Sequence, residues 1–166
     1  MQKKEKALCC TERRLQRKST QSLKAISLKR IRFLLDVWFK DNIFGIPGDE
    51  DGGGMTAFVV FSSMGFYPVT PGIPVYTIGS PVFEEVQIKL ANGNTFTLKA
   101  RNNSTVNKYI QSARLNGQTL NRPWFTHADL MKGAILELEM GPLPNKKWGA
   151  APGAAPPSVT NSDQSF

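Results

Sequence analysis

The sequence predicts an α+β protein in which two helices are followed by an antiparallel β-sheet or sandwich module. A basic arm precedes the helices and a disordered tail follows the module. Three observations predict this. Apolar residues recur at helical spacing between residues 31 and 39, and an apolar run of helical length occupies residues 55–64. Beyond residue 75 the period changes to alternation punctuated by Asn-Gly pairs. At 166 residues and 40% hydrophobic content the chain can bury one domain core.

The elements follow in order. The net charge of +8 is concentrated at the start: residues 1–32 carry eleven Lys/Arg against two Glu. The rest of the chain is close to neutral, so the basic character belongs to an arm over residues 1–28 and not to the domain. No aromatic residue interleaves with these cations before Phe33, as single-strand nucleic-acid binders require, so no nucleic acid is expected as a partner. The arm lacks the apolar run of a secretory signal, and no stretch approaches the roughly 20 apolar residues of a membrane span. Cys9 and Cys10 are adjacent in the arm and match no zinc-ligand spacing.

Ser27 is a candidate N-cap for the first helix, whose apolar face is Ile31, Leu34, Leu35, Trp38 and Phe39, with Arg32, Asp36 and Lys40 mostly off it. Asn42 and Gly45 are expected to end that helix. A buried helix over Met55–Met64 follows, with Gly65 as its C-terminal stop. The proline-rich segment Phe66–Pro74 reads as an extended crossing. Strands are expected at Val75–Ile78, Val82–Leu90, Thr95–Ala100, Tyr109–Leu115, Gln118–Leu120 and Ala134–Met140, with hairpin turns at Asn92-Gly93 and Asn116-Gly117. Thr126 and Asp129 have capping-box spacing around a single helical turn closed by Gly133. The domain boundaries read 1–28 for the arm, 29–66 for the helical hairpin, 67–148 for the β-module and 149–166 for the tail. Two helices with apolar faces need more partners than this chain offers, which is the pattern of a piece of something larger.

Between the helices lies IPGDEDGGGM. Asp49, Glu50 and Asp51 are consecutive acids followed by three glycines, which let the backbone take φ > 0 or approach a ligand closely. A carboxylate bank on a turn ahead of a helix feels two opposed influences. The helix dipole favours charge, while adjacent like charges raise the pKa of at least one member. Such a turn suits a general base; the plain alternative is an acidic N-cap with glycine turn chemistry. A calcium loop starting at Asp49 fails, with Gly53 at its fifth position and Val60 where an acid is required. There is no P-loop and no G-x-S-x-G frame. His127, the single histidine, reads as a surface or capping residue. Trp38, Phe58, Phe61, Phe66, Tyr67 and Trp124 could make a sugar-stacking platform, but at helical spacing the core is the simpler role. Paired-carboxylate glycoside hydrolysis fits the acidic turn, as do other chemistries.

The run GIPGDEDGGGMTAFVVFSSMGFYPVTPGIPVYTIGSP, with the preceding IRFLLDVWFKDN and the later NNSTVNKYIQSARLNG and THADLMKGAILELEMG, closely resembles the C-terminal part of glycoside hydrolase family 92. The resemblance covers roughly Ile31–Trp148, and residues before about Lys29 do not share it. It implies calcium-dependent, exo-acting, inverting α-mannosidases of secreted or periplasmic bacterial origin, built from an (α/α)6 barrel and a β-sandwich. On that resemblance the two helices end the barrel. Asp51 is the general base, Asp49 the assisting or alternative catalytic carboxylate, and Glu50 a substrate-binding neighbour. The substrate implied is a terminal α-linked mannose of a glycan. The general acid and the calcium ligands are implied to lie upstream, so the missing upstream part of the enzyme is the implied partner and the isolated chain is expected to be inactive. Two other readings stand beside it: a non-catalytic module that binds carbohydrate or protein, and a basic arm that tethers the chain to nucleic acid or an anionic surface.

Overall fold

The computed structural model describes residues 28–48 and 52–157; residues 1–27 of the basic arm, with Ser27, Cys9 and Cys10, lie outside them, and Leu28, expected to end the arm, opens the first helix. Residues 28–37 form helix α1, whose last turn closes through the Trp38 N–H to the Leu34 carbonyl at 2.9 Å. It ends four residues short of Asn42, because Asn42 builds its own turn. Its Oδ1 accepts from the Phe44 N–H at 2.9 Å, and its carbonyl accepts from the Gly45 N–H at 2.9 Å. A Cβ on Gly45 would lie 1.7 Å from the Lys40 carbonyl oxygen, so no other residue fits there. The expected apolar face is only partly buried: Trp38 is 57% exposed, whereas Arg32, expected off the face, is 5% exposed.

Helix α2 spans Gly54–Met64, and Gly65 caps it at φ 93°, donating to the Phe61 and Ser62 carbonyls. The expectation of a buried helix is corrected: Ser62 is its one buried residue and Val60 is half exposed. The described chain supplies a covering layer on one side of it only. The strands are β1 Phe66–Tyr67, β2 Val75–Ile78, β3 Glu85–Lys89, β4 Thr95–Arg101, β5 Tyr109–Leu115, β6 Gln118–Thr119, β7 Trp124–Thr126 and β8 Ile135–Gly141, with helix α3 at His127–Met131 between β7 and β8.

They form two sheets, ordered β1-β2-β7 and β3-β4-β8-β5-β6. The α+β class and the mostly antiparallel module are as expected, with one exception in the larger sheet: β8 inserts between β4 and β5 and runs parallel to β4. The chain between β4 and β8 is long enough for the crossover that a parallel pair requires. β8 alternates as its sequence requires: Leu136, Leu138 and Met140 are buried, and Glu137 and Glu139 face outward. Asn116 and Gly117 both take positive φ (51° and 78°), the backbone of a two-residue type I′ turn. At the other hairpin Gly93 alone is positive, and its N–H bonds the Leu90 carbonyl at 3.0 Å, giving a longer turn. Asn92 is held instead by Oδ1 accepting from Asn94 N–H and Nδ2 donating to the Met131 carbonyl. The Thr126–Asp129 capping box is formed in full.

The two sheets meet at an aromatic cluster. Phe66, Phe96 and Phe125 are fully buried. Phe96 stacks on Phe125 with centroids 5.4 Å apart, and Phe66 meets Phe125 edge-on at 5.4 Å. Of the tail expected to be disordered, residues as far as 157 are described. Ala154 is buried, with its carbonyl accepting from Trp124 Nε1 at 3.2 Å, and Trp148 Nε1 donates to the Leu120 carbonyl at 2.8 Å. Two indole donors reaching backbone carbonyls hold that segment in place.

Truncating Phe125 removes the ring shared by both sheets. Phe125→Ala is expected to cost about 3–5 kcal/mol in denaturant unfolding, the range for a large buried aromatic. A loss under about 1 kcal/mol would show that the sheets are joined elsewhere.

Candidate active site

Asp49, Glu50 and Asp51 lie outside the described residues, and the site is defined by what flanks them. Gly48, Gly52 and Gly53 have φ of 80°, 80° and 83°, a left-handed run that residues with a Cβ rarely adopt. The N-cap of α2 is Gly53, without a side-chain cap bond, and no acid occupies the first helical turn. The N-cap position itself is thus held by a glycine and not by one of the acids.

Between α1 and α2, beside Gly48 and Gly54, opens a recess of about 450 Å³ lined largely by Leu34, Trp38, Phe39, Met55 and Phe58. Phe58 bridges it to the module, with Phe39 at 5.9 Å and Tyr67 at 5.9 Å. The aromatic residues considered as a platform thus divide. Phe66 and Phe61 belong to the inter-sheet cluster, while Trp38, Phe58 and Tyr67 stand near the recess. Trp124 is elsewhere, under the Arg122 guanidinium at 4.1 Å.

His127 is exposed on α3, its N–H donating to the Pro74 carbonyl at 2.8 Å and its Nδ1 2.9 Å from the Tyr76 hydroxyl. Burial raises the Tyr76 pKa above the ordinary tyrosine value. Arg32 is the residue that the sequence reading misplaced. It donates to the Pro81 carbonyl, and desolvation lowers its pKa while nearby Asp36 opposes the shift. Its position was legible in the spacing, since Arg32 stands three and seven residues before Leu35 and Phe39 and so shares the edge of the apolar face that they form.

Among the described residues no group of three or more His, Cys, Asp or Glu gathers to hold a metal. The described donors do not fit a calcium site. No helix among the described residues is long and apolar enough to cross a membrane.

The model of the glycosyl hydrolase family 92 catalytic domain matches residues 22–142, beginning inside the stretch expected to be unlike the family. A curated fungal relative, an uncharacterized secreted glycosidase of Arthroderma benhamiae, is 39% identical over 81% of the chain and 18% of its own length. Among solved structures, a family 92 inverting mannosidase from Bacteroides thetaiotaomicron superposes with a TM-score of 0.75 at 40% identity, covering 81% of this chain and 18% of that one. A family 92 α-mannosidase from the same organism superposes with a TM-score of 0.75 at 32% identity, over 80% of this chain and 18% of its own; it has also been solved with mannoimidazole. The chain spans about a fifth of the length of these relatives.

The raised Tyr76 pKa has a signed consequence. The folded state holds that proton more tightly than the unfolded chain does, so its contribution is intact below about pH 10 and is lost as pH rises through the folded value. Unfolding midpoints measured at rising alkaline pH are expected to fall in the wild type and to fall less steeply in Tyr76→Phe. Equal slopes would detach the decline from Tyr76.

Proposed function

The chain belongs to glycosyl hydrolase family 92, and from that premise we propose that it carries the general-base turn of an inverting α-mannosidase. The observation that carries this reading is an acidic run of three between left-handed glycines, inside the family match and beside an apolar recess. Asp51 removes the proton of the attacking water, Asp49 assists or substitutes, and Glu50 contacts the sugar. The leaving oxygen is protonated by a carboxylic acid on the opposite face, and inversion requires the two carboxyl groups to stand about 6.5–9.5 Å apart with water between them.

The acid is supplied by upstream family sequence. In support, several described carboxylates have other work. Asp129 closes the α3 capping box, Glu137 pairs with Arg101, Glu139 accepts from Asn102 and Glu85 from Gln87. The ligands of a calcium ion, which would supply positive charge beside the substrate hydroxyls, are likewise assigned to the upstream part. The substrate is a mannose-terminated glycan, and the setting is extracytoplasmic, in line with the secreted fungal relative.

The purified chain is expected to leave α-linked mannobiose intact with or without calcium. Adding the upstream part of a family member restores hydrolysis, and Asp51→Asn then lowers it by about 10²–10⁴-fold, the usual range for a positioned general base. Turnover by the chain alone would place the acid within it. Full activity in Asp51→Asn would move the base to another residue.

A further inference from the structure

Three features of the helical layer converge on two adjacent residues of the β-module, Pro81 and Val82. Arg32 enters the module from the start of α1, is 5% exposed, and donates to the carbonyls of Pro81 and, at 3.4 Å, Ser104. Among the described residues no carboxylate stands within ion-pair distance of it. A desolvated guanidinium without a paired anion is costly unless carbonyl bonds offset it, so these bonds hold it in one geometry. Pro81 is itself fully buried. Its ring packs so closely on the α2 cap that a Cβ on Gly65 would come within 2.7 Å of it. The next residue, Val82, donates its N–H to the Ser63 carbonyl at 2.9 Å. Behind this loop the Asn103 amide donates to the carbonyls of Pro81 at 3.2 Å, Val82 at 3.1 Å and Phe83 at 3.2 Å. The loop is thus braced from the module side while both helices bear on it from the other.

We propose that Arg32 is a positioning residue: with Pro81 it sets the angle at which α1 leaves the module, and so where the two helices deliver Gly48 and Gly52, the ends of the acidic run. The function of this clamp rests on the reading of that run as the general base. Its leverage follows from the layout. Arg32 lies near the start of α1 and Gly65 at the end of α2, so both helices are pinned at the ends remote from the acids. At 1.5 Å per residue α2 is about 16 Å long, and a tilt of about 10° at the pinned end moves the other by about 3 Å. A displacement of about 1 Å is enough to spoil catalytic geometry. Within α1 and α2 only Arg32 and Ser62 are buried, and the partly buried Leu28, Phe61 and Met64 that pack on the core also sit at the pinned ends, so the ends near the acids have no such anchor among the described residues.

Hydrogen exchange on the 166-residue chain tests this without any turnover. Arg32→Met keeps the volume and removes the donors. It is expected to raise exchange at least about tenfold in peptides covering 34–47 and 54–60, while β4, β5 and β8 stay within about twofold, the signature of local opening. Arg32→Lys, which retains one donor for the Pro81 carbonyl, recovers part of the protection, and it decides the matter if Arg32→Met does not fold. Unchanged helical exchange would overturn the proposal. So would a rise shared equally by the sheets, because Arg32 would then serve global stability alone. Because no hydrolysis is measured, either failure leaves the mannosidase reading standing, and an inactive enzyme leaves this one standing.

Discussion

The position of one ring governs the arrangement of the rest. Phe66 is 1% exposed and meets Phe61 of α2 at 5.8 Å, Tyr76 of β2 at 5.4 Å, Phe125 of β7 at 5.4 Å and Phe96 of β4 at 5.9 Å, all edge-on. It is the point at which the helix, the small sheet and the large sheet touch. Edge-to-face contacts of this kind add to area burial and fix relative orientation. Phe66 reaches that position because Gly65, directly before it, turns out of α2 at φ 93° with no room for a Cβ against Pro81. A glycine that can take the left-handed conformation therefore dictates how the helical layer joins the β-module.

Local features of this fold were legible, and long-range ones were not. The strands Val75–Ile78 and Tyr109–Leu115 stand where alternation placed them, and Gly65 and the Thr126 box act as their sequence signals require. Each depends on residues a few positions apart. The insertion of β8 between β4 and β5 depends on a pairing across the module that alternation cannot encode, and so the parallel pair went unforeseen. β7, three residues long with Phe125 buried at its middle, was too short to show a period, and no strand was expected there. Arg32 was missed because a charge was assigned to the solvent face, although its long side chain can carry a guanidinium inward to carbonyls. For the candidate site, the acids were visible as composition. Their chemical roles entered only through resemblance to a family, since a carboxylate bank alone fits several reactions.

The exposed apolar surface follows the same division. Phe33, Val37, Trp38, Ile43 and Phe44 on α1 and its connector are exposed, Ile43 at 93% and Phe44 at 85%. In the β-module the strand side chains Phe96, Leu98, Ile110, Leu136 and Leu138 are folded into the core, and the exposed apolar residues Val69, Phe83, Val106 and Leu143 lie in its loops. A helical pair with one covered face and one bare face is half of a layer, and half layers of this size normally meet a partner. The relatives are several times longer than the match, which is consistent with sequence of their kind covering the bare face.

On the proposed reading, this asymmetry has a chemical purpose. An inverting hydrolase forms no covalent intermediate, so it must keep water, base and acid in register through a single step. The tolerance for such a constellation is about 0.5 Å, finer than a thin helical pair with a bare face can maintain by its own packing. The stiffness has to be borrowed from a part that takes no part in the reaction. Here the candidate lender is the β-module, whose ring cluster and braced 81–83 loop contact α1 and α2 at their remote ends. On that reading the sheet module is more than a cover for the helices: it is the mount that would hold the proposed base at a fixed distance from its acid.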